Sequence, residues 1–273
     1  MEFFAIIQLT FWESFAKKTF IAFLGISTFI CLLLIFALNL DIVDGLQTSI
    51  SIFGLQSNQL IDLKKIVVGI ETVVAAGLFT GGLFMSLFAT SNLIPTMLDE
   101  GNIDLLISKP ISRFFILLGR FLGSVTIVGF NIFYLVIFTW LIMSIKTGVW
   151  HVGFLLSGIM IVVTFTILFS LMTFLGIVIR SSAFSLMITY LILFFSPLLL
   201  QRDEIYALLS HKIYSYIVDG LYYILPKTAE LGKLTHQLVG GIPVPSWMPL
   251  WSSLLFGITM FGISYYIFSK KNF

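Results

Sequence analysis

Charged residues are scarce in this sequence. They make up 10% of its 273 residues, against roughly 25% in soluble domains, whereas apolar residues make up 59%. The formal net charge of +2 is too small to indicate nucleic-acid binding, and the basic residues lie at the ends of apolar segments instead of forming a patch. The composition therefore predicts an integral membrane protein whose first partner is the lipid bilayer and which binds no nucleic acid.

Cysteine, metal-ligand clusters and nucleotide-binding motifs are also missing or nearly so. Cys31 is the single cysteine, so no internal disulfide can form, and three scattered histidines give no metal-ligand spacing. The chain contains no G-x-x-x-x-G-K-[ST] loop, no H-E-x-x-H and no G-x-S-x-G. We therefore predict that it is not an enzyme, binds no metal or cofactor directly and cannot hydrolyse ATP by itself.

Long apolar segments predict the fold class. We expect an all-α integral membrane protein, a single domain over 1–273 with six transmembrane helices. The spans are predicted near 19–40, 66–91, 115–144, 152–179, 183–200 and 248–268. The first of these is long enough to be a retained span rather than a signal peptide.

The basic residues predict the orientation. An even number of spans puts both termini on one side, where eight Lys and Arg residues lie, against three in the short opposite loops. Because cytoplasmic loops carry an excess of basic residues, both termini are predicted to be cytoplasmic, in the plasma (inner) membrane. Trp140, Trp150, Trp247 and Trp251 then fall at the outer interface, as in an aromatic belt.

The N-terminal segment has helical periodicity. In 1–18, Thr10 and Glu13 project to one side at 100° per residue, and Leu9 and Trp12 project to the other. This pattern is typical of an amphipathic helix lying in the membrane interface. A frayed extension of the first span is the alternative.

Two outer segments are longer than connections need to be. Asp41 to Lys65 is rich in Ser, Gln and Asp, and we expect a loop with one short helix there. In the external segment 201–247, leucines repeat at helical spacing after Pro226. That segment is either a gate over the entrance of a transport pathway or a cap that lies in the membrane interface.

Few polar groups fall inside the predicted spans. Placing a carboxylate inside a membrane span costs free energy, so Glu71 is a candidate residue of a transport pathway. The alternative is that Glu71 forms an ion pair with Lys64 or Lys65 at the membrane interface. Asn131 is a second pathway candidate, although an interhelical hydrogen bond is the simpler interpretation. Gly77-x-x-x-Gly81 and Gly119-x-x-x-Gly123 favour tight helix packing or a dimer seam.

A short charged elbow, 98–113, joins the second and third spans. Asn102 is a candidate N-cap with Asp104 in the first helical turn, and Pro110 ends the helix because the residue before proline avoids the α region. The helix is therefore too short to be stable alone. Ile103, Leu106 and Ile107 fall on one face, which predicts burial in a groove. A second helix is expected to begin after Ser112 as its cap.

The elbow resembles a known family. Its sequence runs Leu98-Asp99-Glu100-Gly101-Asn102-Ile103-Asp104-Leu105-Leu106, then Lys109-Pro110-Ile111-Ser112-Arg113, then Leu118-Gly119-Arg120-Phe121-Leu122-Gly123. This is similar to the coupling region of ABC-2 type permeases, in which Thr usually stands where this chain has Asn102. The predicted architecture, with its interfacial helix, six spans and long outer segment, agrees with the same family.

The resemblance implies a permease subunit of an ATP-driven exporter. It implies a cytoplasmic coupling helix that docks on an ABC ATPase subunit, present in two copies, with ATP hydrolysed there. It also implies a second permease chain, as a homo- or heterodimer. The coupling residues would be Asp99, Glu100, Gly101, Ile103, Asp104, Leu106, Ile107, Pro110 and Arg113. A secondary carrier or a non-transporting membrane scaffold are the alternatives; a carrier would be expected to show internal repeats and midplane ionisable groups.

Overall fold

The structure is a computed structural model that describes residues 2–16, 18–43, 47–52, 55–56, 61–99, 101–107, 111–201 and 212–271. Two helices open the chain, and a third follows after a small sheet. They are α1 (Glu2–Ala16), α2 (Lys18–Ala37) and α3 (Leu63–Gly77). A π-helical turn, Leu78–Gly82, joins α3 to α4 (Leu83–Thr90), and a 3₁₀ turn, Pro95–Leu98, follows.

The second half of the described chain is helical. Its elements are α5 (Asn102–Ile107), α6 (Arg113–Thr147), α7 (Gly153–Ile179), α8 (Ser182–Leu200), α9 (Lys212–Ile224), α10 (Thr228–Gly240) and α11 (Met248–Lys270). α7 is the central helix and packs against α6, α8, α10 and α11. Its Phe154, Phe165 and Phe169 are fully buried, so the core of the bundle lies around α7.

Among the described residues, five helical segments are long and apolar enough to cross a membrane. They are Leu63–Leu98, Arg113–Thr147, Gly153–Ile179, Ser182–Leu200 and Met248–Lys270. Large apolar side chains such as Phe194, Leu255 and Ile258 are exposed on the outside of this bundle. A soluble monomer rarely exposes so much apolar surface, whereas a bilayer would cover it. The chain is therefore a multi-pass membrane protein with helical spans.

The first predicted span, 19–40, ends earlier than expected. Its helix, α2, stops at Ala37, and its uninterrupted apolar part, Phe20–Phe36, is shorter than the five segments above. The chain enters a strand at Leu38. Apolar and polar residues alternate from Leu38 to Ile42, and this period of two favours a strand over a helix.

A small antiparallel sheet occupies part of the segment from Asp41 to Lys65, where a loop with one short helix was expected. Strand β1 (Leu38–Val43) pairs with β2 (Gln47–Ile52), in a register that sets Leu38 opposite Ile52 and Val43 opposite Gln47. Two short strands, β3 (Leu55–Gln56) and β4 (Ile61–Asp62), also pair with β2. The expectation was wrong because it relied on the polar composition of this segment and overlooked the alternation of apolar and polar residues that favours strands.

Candidate functional site

The elbow begins with a tight turn that only glycine adopts easily. Gly101 has a φ of +87°, in the left-handed region that L side chains disfavour. The backbone N–H groups of Asn102 and Ile103 donate to the carbonyl oxygen of Asp99, at 3.1 and 3.2 Å. These two bonds satisfy the first free donors of α5 and join it to the preceding 3₁₀ turn.

Asn102 does not act as the predicted N-cap. It is the first residue of α5, and its side-chain Nδ2 donates to the carbonyl oxygen of Thr96 at 3.0 Å. The amide N–H therefore ties α5 back to the 3₁₀ turn.

Ile103 is already buried by its own chain. It is 3% exposed and belongs to the core that includes Met97, Leu98 and Ile116. The predicted burial of Ile103 is therefore confirmed, with its own chain providing the contact, and its part in coupling stays a prediction. Asp104, one residue later, is exposed.

The other predicted coupling residues of the elbow are only partly covered by the structure. Glu100 and Pro110 lie outside the described residues. The backbone of Leu106 and Ile107 is helical, and nothing further is described for their side chains. Their roles stay predictions.

Ser112 and Arg113 begin the long helix α6. The Ser112 hydroxyl accepts a hydrogen bond from the Phe115 N–H at 3.4 Å, which confirms the predicted cap. Arg113 Nη1 donates to the carbonyl oxygens of Ser269 and Lys271, at 2.9 and 2.7 Å. These carbonyls lie at the end of α11, where a cation is favoured by the helix dipole.

A second contact holds the same end of α11. Lys271 Nζ donates to the carbonyl oxygen of Ile177, near the end of α7, at 2.7 Å. Burial, with a smaller effect from the nearby Arg180 charge, lowers the pKa of Lys271. The start of α6 and the ends of α7 and α11 are therefore joined directly beside the elbow.

Arg120 lies inside the protein. It is 6% exposed and forms an ion pair with Glu13 of α1. A buried guanidinium needs a carboxylate partner, and the N-terminal helix provides one. α1 is thus attached to the helix that follows the elbow.

Gly123 provides the space for this attachment. A Cβ atom there would lie 2.9 Å from the Cβ of Thr10, which is fully buried, so α1 packs closely on α6 at this glycine. The polar side of α1 faces the bundle, while Leu9 and Trp12 are 46% and 68% exposed. Within the described residues, the Gly119-x-x-x-Gly123 motif therefore contributes to helix packing inside the chain.

Glu71 lies in a buried hydrogen bond that the sequence did not predict. Its Oε2 is 2.6 Å from Nδ1 of His151, and its side chain is fully buried. The expected partners, Lys64 and Lys65, are replaced by this histidine. Oε1 has no hydrogen-bond partner among the described residues. A carboxylate whose burial costs free energy, and whose Oε1 accepts no hydrogen bond from the described residues, thus lies within the second predicted span.

Neighbouring residues hold His151 in place. The Trp140 indole N–H donates to the His151 carbonyl at 3.1 Å, and the Trp140 and Trp150 rings meet edge to face, 5.0 Å apart. A Cβ on Gly153 would lie 2.8 Å from His151 Nε2 and 3.1 Å from the Leu238 carbonyl oxygen. The imidazole is therefore confined between the α6–α7 connection, α3 and the end of α10.

Asn131 makes an interhelical hydrogen bond. Its Oδ1 accepts from the Ser27 hydroxyl at 2.8 Å, and this bond joins α2 to α6. Both residues are buried, and Nδ2 of Asn131 has no partner among the residues that the structure describes. The bond favours a structural role for Asn131 over its assignment as a pathway residue.

The Gly77-x-x-x-Gly81 motif lies beside open space. A Cβ on Gly77 or Gly81 would meet nothing within 4 Å. Both glycines line an apolar groove of about 520 Å³ between α2 and the π-helical turn. π-helical turns are frequent at functional sites.

The described part of the chain shows no cluster of metal ligands. Among those residues, no group of three or more His, Cys, Asp or Glu side chains is close enough to hold a metal ion. No protein-family model and no curated protein matches the sequence of this chain.

Proposed function

We propose that the chain is the permease subunit of an ATP-driven ABC transporter that works as an exporter. In this proposal α2 is the first of six spans, and both termini are cytoplasmic in the plasma (inner) membrane. Two copies of a separate ABC ATPase bind the elbows of two permease chains. The chain itself hydrolyses nothing and binds ATP only through that partner.

The observation that carries the proposal is the attachment of the elbow. α5 is a six-residue helix between two long helical segments, fixed at one end by Gly101 and by the buried Ile103. At the other end, Arg113 bonds to the end of α11. A rigid-body movement of a subunit docked on α5 would therefore reach the second, third and last spans together.

The exposed part of the elbow supports a contact with a partner. Asp104 is exposed in the first turn of α5, which suits an ion pair with a basic residue of the ATPase. A solvated cytoplasmic loop would be expected to carry Lys and Arg instead.

Two further features support the membrane arrangement. Exposed Leu9 and Trp12 on α1 suit a helix lying in the membrane interface. The open groove at Gly77 and Gly81 suits close approach by a second permease chain, as a homo- or heterodimer.

The test is a pair of elbow variants of the full chain expressed with its ATPase. Leu106→Asp would place an unpaired charge in the partner contact, so we expect normal membrane levels with loss of ATPase co-purification and of transport. Asp104→Lys should weaken the complex only partly, because a rim charge mainly affects the rate of encounter.

The matched control is Lys65→Asp, an exposed charge change in α3, away from the elbow. It should leave co-purification intact. If the Leu106→Asp protein kept its ATPase and its transport, the elbow would not be a coupling site and the proposal would fail.

A secondary carrier is the second candidate, and the Glu71–His151 pair favours it. Carriers use ionisable pairs inside the membrane to move protons. In proteoliposomes, transport driven by a proton gradient without ATP would identify a carrier, whereas strict dependence on ATP and the ATPase would identify the exporter.

A further inference from the structure

A cavity of about 480 Å³ lies between α3 and α10. Small-molecule sites usually have volumes of about 300–1,000 Å³, so this space is large enough for a ligand. One wall is formed by α3, with Ala76, and by the π-helical turn, with Phe79, and the wall formed by α10 includes Lys233, His236 and Gln237. The two walls differ in chemistry.

The α3 wall is mainly apolar, whereas the α10 wall carries hydrogen-bond donors. Lys233 is exposed at the cavity and supplies a positive charge, and His236 and Gln237 supply further polar groups. None of the described residues that line the cavity carries a carboxylate. The arrangement is complementary to an apolar chain that ends in an anionic group.

Close packing of α10 on α3 maintains the shape of this space. A Cβ on Gly232 would lie 3.0 Å from Cε1 of Phe79, so the aromatic ring reaches the backbone of α10 only because residue 232 is glycine. Phe79 is 8% exposed and lies in the π-helical turn. The ring thus forms a fixed apolar surface at the cavity, and the exposed Ala76 leaves room beside it.

The surroundings favour an amphiphile taken from the bilayer. Ile242, which also lines the cavity, is 49% exposed, so the site is open to the exterior of the bundle. A membrane supplies acyl chains at high local concentration, and a lysine beside an apolar surface is a common position for an anionic headgroup.

We propose that this cavity binds one anionic amphiphile, with its acyl chain against Ala76 and Phe79 and its carboxylate or phosphate beside Lys233 and His236. The inference is independent of the transport proposal, because it needs neither an ATPase nor a second chain. A free fatty acid and an anionic phospholipid share this chemistry.

The test uses the full chain in phosphatidylcholine nanodiscs with three diazirine probes: palmitic acid, phosphatidylglycerol and neutral hexadecanol. Cross-linked peptides are identified by mass spectrometry. We expect saturable labelling of 75–80 and 232–237 by at least one anionic probe, about tenfold above hexadecanol, which corresponds to about 1.4 kcal/mol. The anionic probe that labels identifies the source.

Three variants make the result specific. Lys233→Gln should reduce anionic labelling about tenfold without changing hexadecanol labelling, and Ala76→Trp should block all three probes by filling the space. Lys65→Gln, an exposed lysine on α3 outside the cavity, should change nothing. Size-exclusion profiles and thermal unfolding establish that each variant is folded.

Three results would overturn the proposal. The first is equal labelling by neutral and anionic probes, and the second is labelling that Lys233→Gln and Ala76→Trp leave unchanged in folded protein. The third is absence of labelling by both anionic probes.

Discussion

The carboxylate of Glu71 and the imidazole of His151 lie 2.6 Å apart, although they are 80 residues apart in the sequence. The pair joins α3 to the connection between α6 and α7. Because Glu71 is fully buried, His151 supplies the described hydrogen bond that offsets the loss of water around this group. The pair therefore holds the second predicted span to the connection that leads into the central helix α7.

Removing His151 should destabilise the protein. In His151→Ala, Glu71 would lose its described partner, and an unsatisfied buried polar group costs about 1–3 kcal/mol. We expect a lower thermal unfolding midpoint in nanodiscs, partly restored by adding Glu71→Gln. Lys65→Ala, at an exposed lysine of α3, is the control. Equal effects of the His151 and Lys65 substitutions would show that the pair contributes nothing.

A side chain at Gly123 should separate α1 from α6. In Gly123→Ala the new Cβ would lie 2.9 Å from the Cβ of Thr10, and overpacking of this kind costs about 1–3 kcal/mol. We expect faster amide hydrogen exchange in α1. Gly262→Ala is the matched control, because a Cβ there meets nothing within 4 Å. Unchanged exchange in the Gly123→Ala protein would contradict the close packing.

Arg113→Gln should loosen the end of α11. The variant loses the positive charge and the donors to the Ser269 and Lys271 carbonyls, so the last turn should open more often. Hydrogen exchange in the peptide covering 262–271 measures this opening. Lys270→Gln removes an exposed charge from the same turn and should have a smaller effect. If the ranking were reversed, Arg113 would not stabilise this end.

The predicted orientation can be tested with single cysteines. In a Cys31→Ala background, Ser246→Cys and Asn102→Cys place thiols at two exposed positions on opposite predicted sides. An impermeant thiol reagent applied to intact cells should label position 246 and not position 102, because the basic residues predict a cytoplasmic elbow. Labelling at 102 alone would reverse the orientation.

Local pattern was sufficient for much of the fold. Apolar runs predicted the helices because burial of the backbone in a bilayer requires each segment to satisfy its own hydrogen bonds. The Ser112 cap was predicted because capping involves residues three positions apart. The strand at Leu38 could have been predicted from its alternating apolar and polar residues. The polar composition of the residues that follow favoured a loop instead.

Long-range pairing was decided by tertiary structure. His151 as the partner of Glu71, and the end of α11 as the partner of Arg113, left no signal in the spacing of the sequence. Helices such as α7 are apolar on all sides, so their sequence does not select which neighbour each face contacts. Ile103 shows the same limit: its helical face predicted burial, and only the packing of the bundle decided that its own chain, rather than a partner, buries it.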